Sequence, residues 1–188
     1  MRIFLSILIL LISLQSLTRA DSIKDFEIEG MSIGDSALDH FSQYQIDNGL
    51  VATYKDITYK TVEPSNPKTK NYDYVSFSHK TIDKRYIMVA VTGVMNFDNK
   101  IEKCHKLQDE IFKEIIELFP NAEITDGVTH EMLGKEKGKT RQTFVELKEG
   151  DFVAIQCYHW DKGVKRKDLM RVQMFSKEYN DWLNTKAF

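Results

Sequence analysis

Apolar and polar positions alternate in several distinct rhythms along the chain, and each rhythm predicts a different element. Residues 3–14 form an apolar run broken only by Ser6 and Ser13, with no amphipathic period. Beyond residue 20 the rhythm shortens. Residues 26–30, Phe-Glu-Ile-Glu-Gly, alternate as a half-buried strand does, and residues 31–34 read as a turn. Residues 35–43 then predict a short helix with Ala37, Leu38 and Phe41 on one face, a capping-box spacing at Ser36 and Asp39, and a stop at Asn48-Gly49. Residues 50–62, carrying Val51, Tyr54, Ile57 and Tyr59, predict a strand or hairpin, and the proline-containing stretch 63–71 a loop. Strands follow over 72–78 and 85–95. The second of these is apolar on both faces across residues 86–92, the pattern of a central strand covered from both sides.

Residues 98–119 carry the clearest helical period, capped by Asp98 and stopped by Pro120. Ile101, Cys104, Leu107, Ile111, Ile115 and Leu118 make one apolar stripe, with charged residues elsewhere. On the polar surface, Glu102 to Lys106 and Asp109 to Lys113 have the spacing of ordinary helix pairs. Residues 121–138 show no usable pattern. Strands at 141–147, 151–159 and 169–175 follow, the first two joined by a hairpin-like turn at 148–150, and a short helix at 177–183 carries Tyr179 and Trp182. The expected fold is α+β: a mainly antiparallel sheet packed against one long amphipathic helix, with a C-terminal three-stranded meander.

The opening run changes the expected compartment. A basic start at Arg2, a short apolar core and small residues at Thr18 and Ala20 make residues 1–20 a cleavable signal peptide. The run falls short of the roughly 20 apolar residues that span a bilayer. The first cysteine is Cys104, so no lipid anchor follows the run. Residues 21–188 then form a single globular domain, periplasmic or secreted, with no transmembrane segment. Taking Arg2 and Arg19 from the 26 basic residues leaves 24 against 28 acidic ones, a mild net charge of −4. Hydrophobic content of 42% and three prolines describe an ordinary folded domain.

The stretch 26–36, Phe-Glu-Ile-Glu-Gly-Met-Ser-Ile-Gly-Asp-Ser, resembles the opening of an uncharacterised family of short exported bacterial proteins, and residues 157–161, Cys-Tyr-His-Trp-Asp, resemble that family's second signature. The resemblance covers both ends of the domain. It implies an exported bacterial protein and assigns no active residue. The turn around Gly30-Met31-Ser32 is more distantly similar to the start of small outer-membrane assembly lipoproteins, whose lipidated cysteine this chain lacks.

Two cysteines in an oxidising compartment favour a disulfide, and Cys104 and Cys157 both fall on core-facing stripes. A metal site of Cys104, Cys157, His159 and His105 is weighed against it. Helix geometry turns His105 about 100° from Cys104, so the disulfide is preferred and no cofactor is expected. A thiol nucleophile lacks both a CxxC pair and a helix-start position. His40, His79 and His130 have no ligand spacing and read as surface or cap residues. The two glycines at 30 and 34 precede a helix, but without a phosphate-loop lysine they read as a capped turn.

One charged cluster remains. The meander brings the start of its first strand, with Lys135, Lys137, Lys139 and Arg141, to the same end as the loop of Lys162, Lys165, Arg166 and Lys167, beside Trp160. Such a patch would attract anionic lipid or another envelope polyanion, and nucleic acid is not an expected partner outside the cytoplasm. The expected function is therefore a non-catalytic exported protein binding an anionic envelope component. The alternative is a small extracytoplasmic hydrolase or metal-dependent enzyme of unrecognised type, which would retain a metal or have a cleft gathering His159, Asp161 and another histidine.

Overall fold

The computed structural model describes residues 22–132 and 137–188, so the expected signal peptide and Lys135 lie outside the described residues. Among the described residues eight strands form one sheet in the order β1-β2-β3-β4-β8-β7-β6-β5, every neighbouring pair antiparallel. The strands are β1 Leu50–Ala52, β2 Tyr59–Glu63, β3 Tyr74–Lys80, β4 Met88–Asn96, β5 Glu123–Met132, β6 Gly138–Glu146, β7 Phe152–Trp160 and β8 Leu169–Phe175. Among the same described residues three α-helices accompany them, α1 Gln43–Asp47, α2 Ile101–Leu118 and α3 Lys177–Thr185. The chain is mixed α+β.

The topology follows from α2. Four inter-strand spacings of about 4.8 Å separate β4 from β5 by roughly 19 Å. An 18-residue helix is about 27 Å long, enough to carry the chain across the sheet to its far edge. The second half then winds back as a meander until β8 pairs with β4. β4 consequently lies inside the sheet, as its two-sided apolar pattern predicts.

One face of the sheet is buried beneath α2 and the N-terminal segment. Val91, Val172 and Ile155 lie in that layer with Cys104, Ile115, Ile28 and Met31. Cys104 of α2 and Cys157 of β7 are both fully buried, with their sulfurs at disulfide distance and their Cα atoms 6.0 Å apart. One helical turn further along, the buried Gln108 donates from Nε2 to the backbone oxygens of Ile155 (2.9 Å) and Arg141 (3.2 Å). The stripe read from the sequence misses this residue because an amide looks like a surface group until the carbonyls it meets are known.

The N-terminal segment departs from expectation. Residues 26–30 are no regular strand. Ile28 and Met31 exchange both backbone hydrogen bonds at 3.0 Å across a tight turn whose central residues, Glu29 and Gly30, have φ of 55° and 78°. Glu29 is thereby aimed at the loop after β2, where its carboxylate accepts from the backbone N–H groups of Lys70 (2.8 Å) and Asn71 (2.6 Å). The helix expected at 35–43 splits, because Ser36 and Ser42 each act as a separate N-cap. Ser36 caps a 3-10 turn over Ala37–Asp39, and Ser42 forms a capping box with Gln45 at the start of α1.

Two further expectations are corrected. Asp98 does not cap α2: it adopts a left-handed φ of 46° and pairs with Lys167 at 2.6 Å, while the N-cap is Lys100 with no side-chain capping bond. His79 is not a surface residue. It is 1% exposed and packs against Phe77 and Tyr86.

The Nδ1–H of His79 donates to the Lys80 carbonyl at 2.8 Å, and Nε2 has no partner. Burial, then repulsion from Lys60, holds its pKa below the ordinary 6.5. The folded protein therefore keeps this ring neutral at pH values where the unfolded chain takes up a proton. Its contribution to stability is complete above about pH 6.5 and is lost as pH falls through the window beneath. His105, lowered by burial and then by Arg141, acts in the same direction. Urea midpoints measured between about pH 7.5 and about pH 5 are expected to fall, and His79→Gln to flatten that slope. An unchanged slope in the variant would show that His79 does not set it.

Candidate functional site

Antiparallel pairing puts directly opposed residues on the same face, so the register itself assembles a surface. On the face away from α2, Gln142, Gln156, Arg171, Val94 and Tyr74 stand in one row across β6, β7, β8, β4 and β3. One step along the strands, Phe144, Ala154, Gln173, Thr92 and Ser76 form the next. The two rows floor an open cleft of about 820 Å³. Beyond them α3 closes one end, packing Tyr179 and Trp182 over Ala90, Ala154 and Phe175.

The floor is built for hydrogen bonding by uncharged groups. Gln173 donates to Thr92 Oγ1 at 3.1 Å, and the Tyr158 hydroxyl donates to Gln156 Oε1 at 2.9 Å. Toward α3, Ser78 donates to the Tyr179 hydroxyl at 3.0 Å and shares a 2.7 Å contact with Thr61. Burial pushes the Tyr179 hydroxyl up to about 12, so it stays protonated.

Arg171 stands apart. It is half-buried in the row of glutamines, its Nη1 donates to the Tyr158 hydroxyl at 3.5 Å, and its guanidinium lies 5.2 Å from the centre of the Tyr158 ring. Among the described residues it has no carboxylate partner within ion-pair distance. A guanidinium carries five donors, and a partly buried one is ordinarily paired. Its field reaches its neighbours: burial raises the pKa values of both Tyr74 and Tyr158, and Arg171 opposes each rise. Across the cleft burial also raises the pKa of Glu63, the one carboxylate in the lining.

The basic end predicted from sequence assembles in part. Asp161 donates its backbone N–H to the Lys137 carbonyl at 3.0 Å, joining the start of β6 to the loop between β7 and β8. The seven of these cations that are described do not share one surface. Arg141 projects toward α2 and pairs with Asp109 at 2.7 Å, the partner expected for Lys113 in the helix itself. Lys139 pairs with Glu131 (3.2 Å) and Lys167 with Asp98 (2.6 Å). Lys137, Lys162 and Lys165 are exposed, and Lys135 lies outside the described residues. Arg166 is placed differently, with its guanidinium 5.2 Å from the Trp160 ring centre. Trp160 in turn stacks on Tyr158 at 6.1 Å and 17°. The basic loop is therefore continuous with the cleft through two rings.

His159 lies on the opposite face, where its Nδ1 is 3.0 Å from the buried Asp168. It does not enter the cleft with Asp161. No group of three or more His, Cys, Asp or Glu residues among the described residues is arranged to hold a metal ion. What the sequence reading missed is Arg171, with Gln142, Gln156 and Gln173. The available signal was parity, since each strand of the meander carries its polar residues two apart, opposite in phase to its apolar ones.

No protein-family model matches the chain, and no curated protein matches it.

Proposed function

We propose that this chain is a non-catalytic binding protein of an oxidising compartment outside the cytoplasm, periplasmic or secreted, which holds an anionic envelope component in the open cleft at Arg171. The observation that carries this reading is the half-buried guanidinium without a carboxylate partner among the described residues, set among neutral hydrogen-bonding groups. Such an arginine presents a fork matched to carboxylate or phosphate oxygens, and a ligand anion would supply the missing counter-charge. The exposed lysines of the loop between β7 and β8 lie at the same end of the sheet and draw the anion in through their longer-range field.

The cysteine pair supports the compartment, since disulfides persist where glutathione does not reduce them. The signal-like opening and the resemblance to exported bacterial proteins point the same way. Among the described residues no helix is long and apolar enough to cross a membrane. A hydrolytic reading is less well supported, because glycosidic hydrolysis ordinarily takes two carboxylates flanking the bond and, among the described residues, the cleft lining offers Glu63 alone.

The test is binding of the residue 21–188 protein to two polyanions, phosphatidylglycerol vesicles and an acidic polysaccharide, at low and at physiological salt. Salt-sensitive binding of at least one is expected, weakened about tenfold or more by Arg171→Gln and less by Lys165→Glu. Binding unaffected by Arg171→Gln, or no binding of either polyanion at low salt, would overturn the assignment.

A further inference from the structure

The rim of the cleft has a repeating composition that narrows the ligand. Arg166, Trp160, Tyr158 and Arg171 lie in one line of neighbouring groups, cation, ring, ring, cation, with offset separations of 5.2, 6.1 and 5.2 Å. Tyr158 and Trp160 are alternate residues of β7, so they share a face and are spaced along the strand by roughly 6.7 Å of backbone. Past Arg171 the line continues onto Gln156 and Gln142, whose amides both donate and accept.

We infer that the ligand is an acidic oligosaccharide, a chain of sugar rings bearing carboxylates, laid along this line with its hydroxyls on the glutamine rows. The inference rests on the anion-binding reading of the cleft and specifies its ligand. A sugar ring presents C–H groups on its faces and hydroxyls around its edge. Aromatic faces complement the first, and amide side chains, being donor and acceptor at once, complement the second. A carboxylate of the chain meets the Arg171 guanidinium.

The same geometry argues against a lipid surface at this rim. A headgroup site of a peripheral protein is accompanied by exposed apolar side chains that enter the acyl boundary. Here, of the strongly exposed apolar side chains, Leu50 and Phe188 line the β1 side of the same cleft rather than the Arg166–Trp160 rim, and Ile57 and Ile82 lie outside its lining. Trp160 itself lies half-buried between a tyrosine and an arginine.

The test titrates the residue 21–188 protein with uronate-bearing and sialate-bearing oligosaccharides of four to eight units, using tryptophan fluorescence and calorimetry, with neutral oligosaccharides of equal length and phosphatidylglycerol vesicles in parallel. At least one acidic series is expected to bind more than about tenfold tighter than its neutral counterpart. Trp160→Ala and Tyr158→Leu are each expected to weaken it about fivefold or more, and Arg171→Gln about tenfold or more. Circular dichroism and unfolding midpoints of each variant separate lost binding from lost fold. Vesicle binding that depends on Arg171 but not on Trp160 or Tyr158, with no acidic oligosaccharide bound below about 1 mM, would overturn the oligosaccharide and leave the anion site standing. Failure of every anion to respond to Arg171→Gln would overturn both.

Discussion

Replacing both Cys104 and Cys157 by alanine is expected to lower the free energy of unfolding by about 4 kcal/mol, one of the two largest single effects on this fold. The two positions are 53 residues apart, and a cross-link over a loop of that length removes about this much entropy from the unfolded chain. For a domain of this size the loss corresponds to a fall of roughly 8–16 °C in the unfolding midpoint. The double variant should still fold. Ile115 of α2 is buried in the core, and the amide of Gln108 ties the helix to the carbonyls of Ile155 and Arg141 without help from sulfur. Thermal and urea unfolding of the oxidised protein, the reduced protein and the double variant provide the measurement. Reduction and substitution should give losses of similar size. A loss below about 1 kcal/mol in both would mean that the unfolded chain is already constrained near these residues, contrary to the loop-entropy account.

The same sulfur pair shows what was legible from sequence and what was not. Both cysteines sit on stripes whose period is set locally, helical around Cys104 and alternating around Cys157, so the burial of each follows from its neighbours. β4 was legible for a similar reason, since apolar residues on both faces require cover on both sides and the strand lies between β3 and β8. β5 was not. As an edge strand it is exposed along most of its length and lacks a periodic signal, and its Asp126-Gly127 pair mimics a turn while forming a bulge, where the register shifts between Thr125 and Val128 and Gly127 has φ of 66°. The cleft was hidden at a higher level. Gln142, Gln156 and Gln173 are correctly read as the polar side of a meander, but polar sides ordinarily face bulk water. Only the pairing of β8 with β4, residues some 80 positions apart, sets Thr92 and Ser76 beside them and turns a wet face into a floor. His79 illustrates the reverse error. Its ring packs on Phe77 and, across the β3–β4 turn, on Tyr86, a burial that the spacing of a lone histidine does not record.

Trp182→Ala is expected to destabilise the protein by about 3–5 kcal/mol and to do so unevenly. α3 has nine residues, too few to hold itself helical in water, so its order comes from packing. Trp182 supplies most of that packing, meeting the rings of Tyr59 at 4.9 Å, Tyr54 at 5.0 Å and Tyr179 at 5.4 Å, while its indole N–H donates to Asp56 Oδ1 at 2.8 Å. Hydrogen bonding from Thr58, and then this bond, hold the Asp56 carboxyl at about 2, well below the ordinary value of 3.8. Truncation empties the centre of the aromatic cluster and leaves the helix with Tyr179 as its one remaining buried ring. Amide exchange in α3 should then accelerate toward that of an unfolded segment, while β7 and β8, anchored on the other face through Cys157, Val172 and Met170, remain protected. Trp182→Phe separates the two contributions, because it keeps an aromatic ring and removes the N–H. It should cost less than the alanine change while allowing the Asp56 titration to move upward, a shift visible by NMR. The ligand site provides an internal control. Arg171 lies two rows along the sheet from Phe175, where α3 packs, a separation of about 13 Å. Anion binding should therefore survive the loosening of α3 at temperatures where the sheet stays folded. Equal loss of protection across α3 and β8 would instead mean that helix and sheet unfold as one unit, making the wall of the cleft and its floor a single cooperative structure.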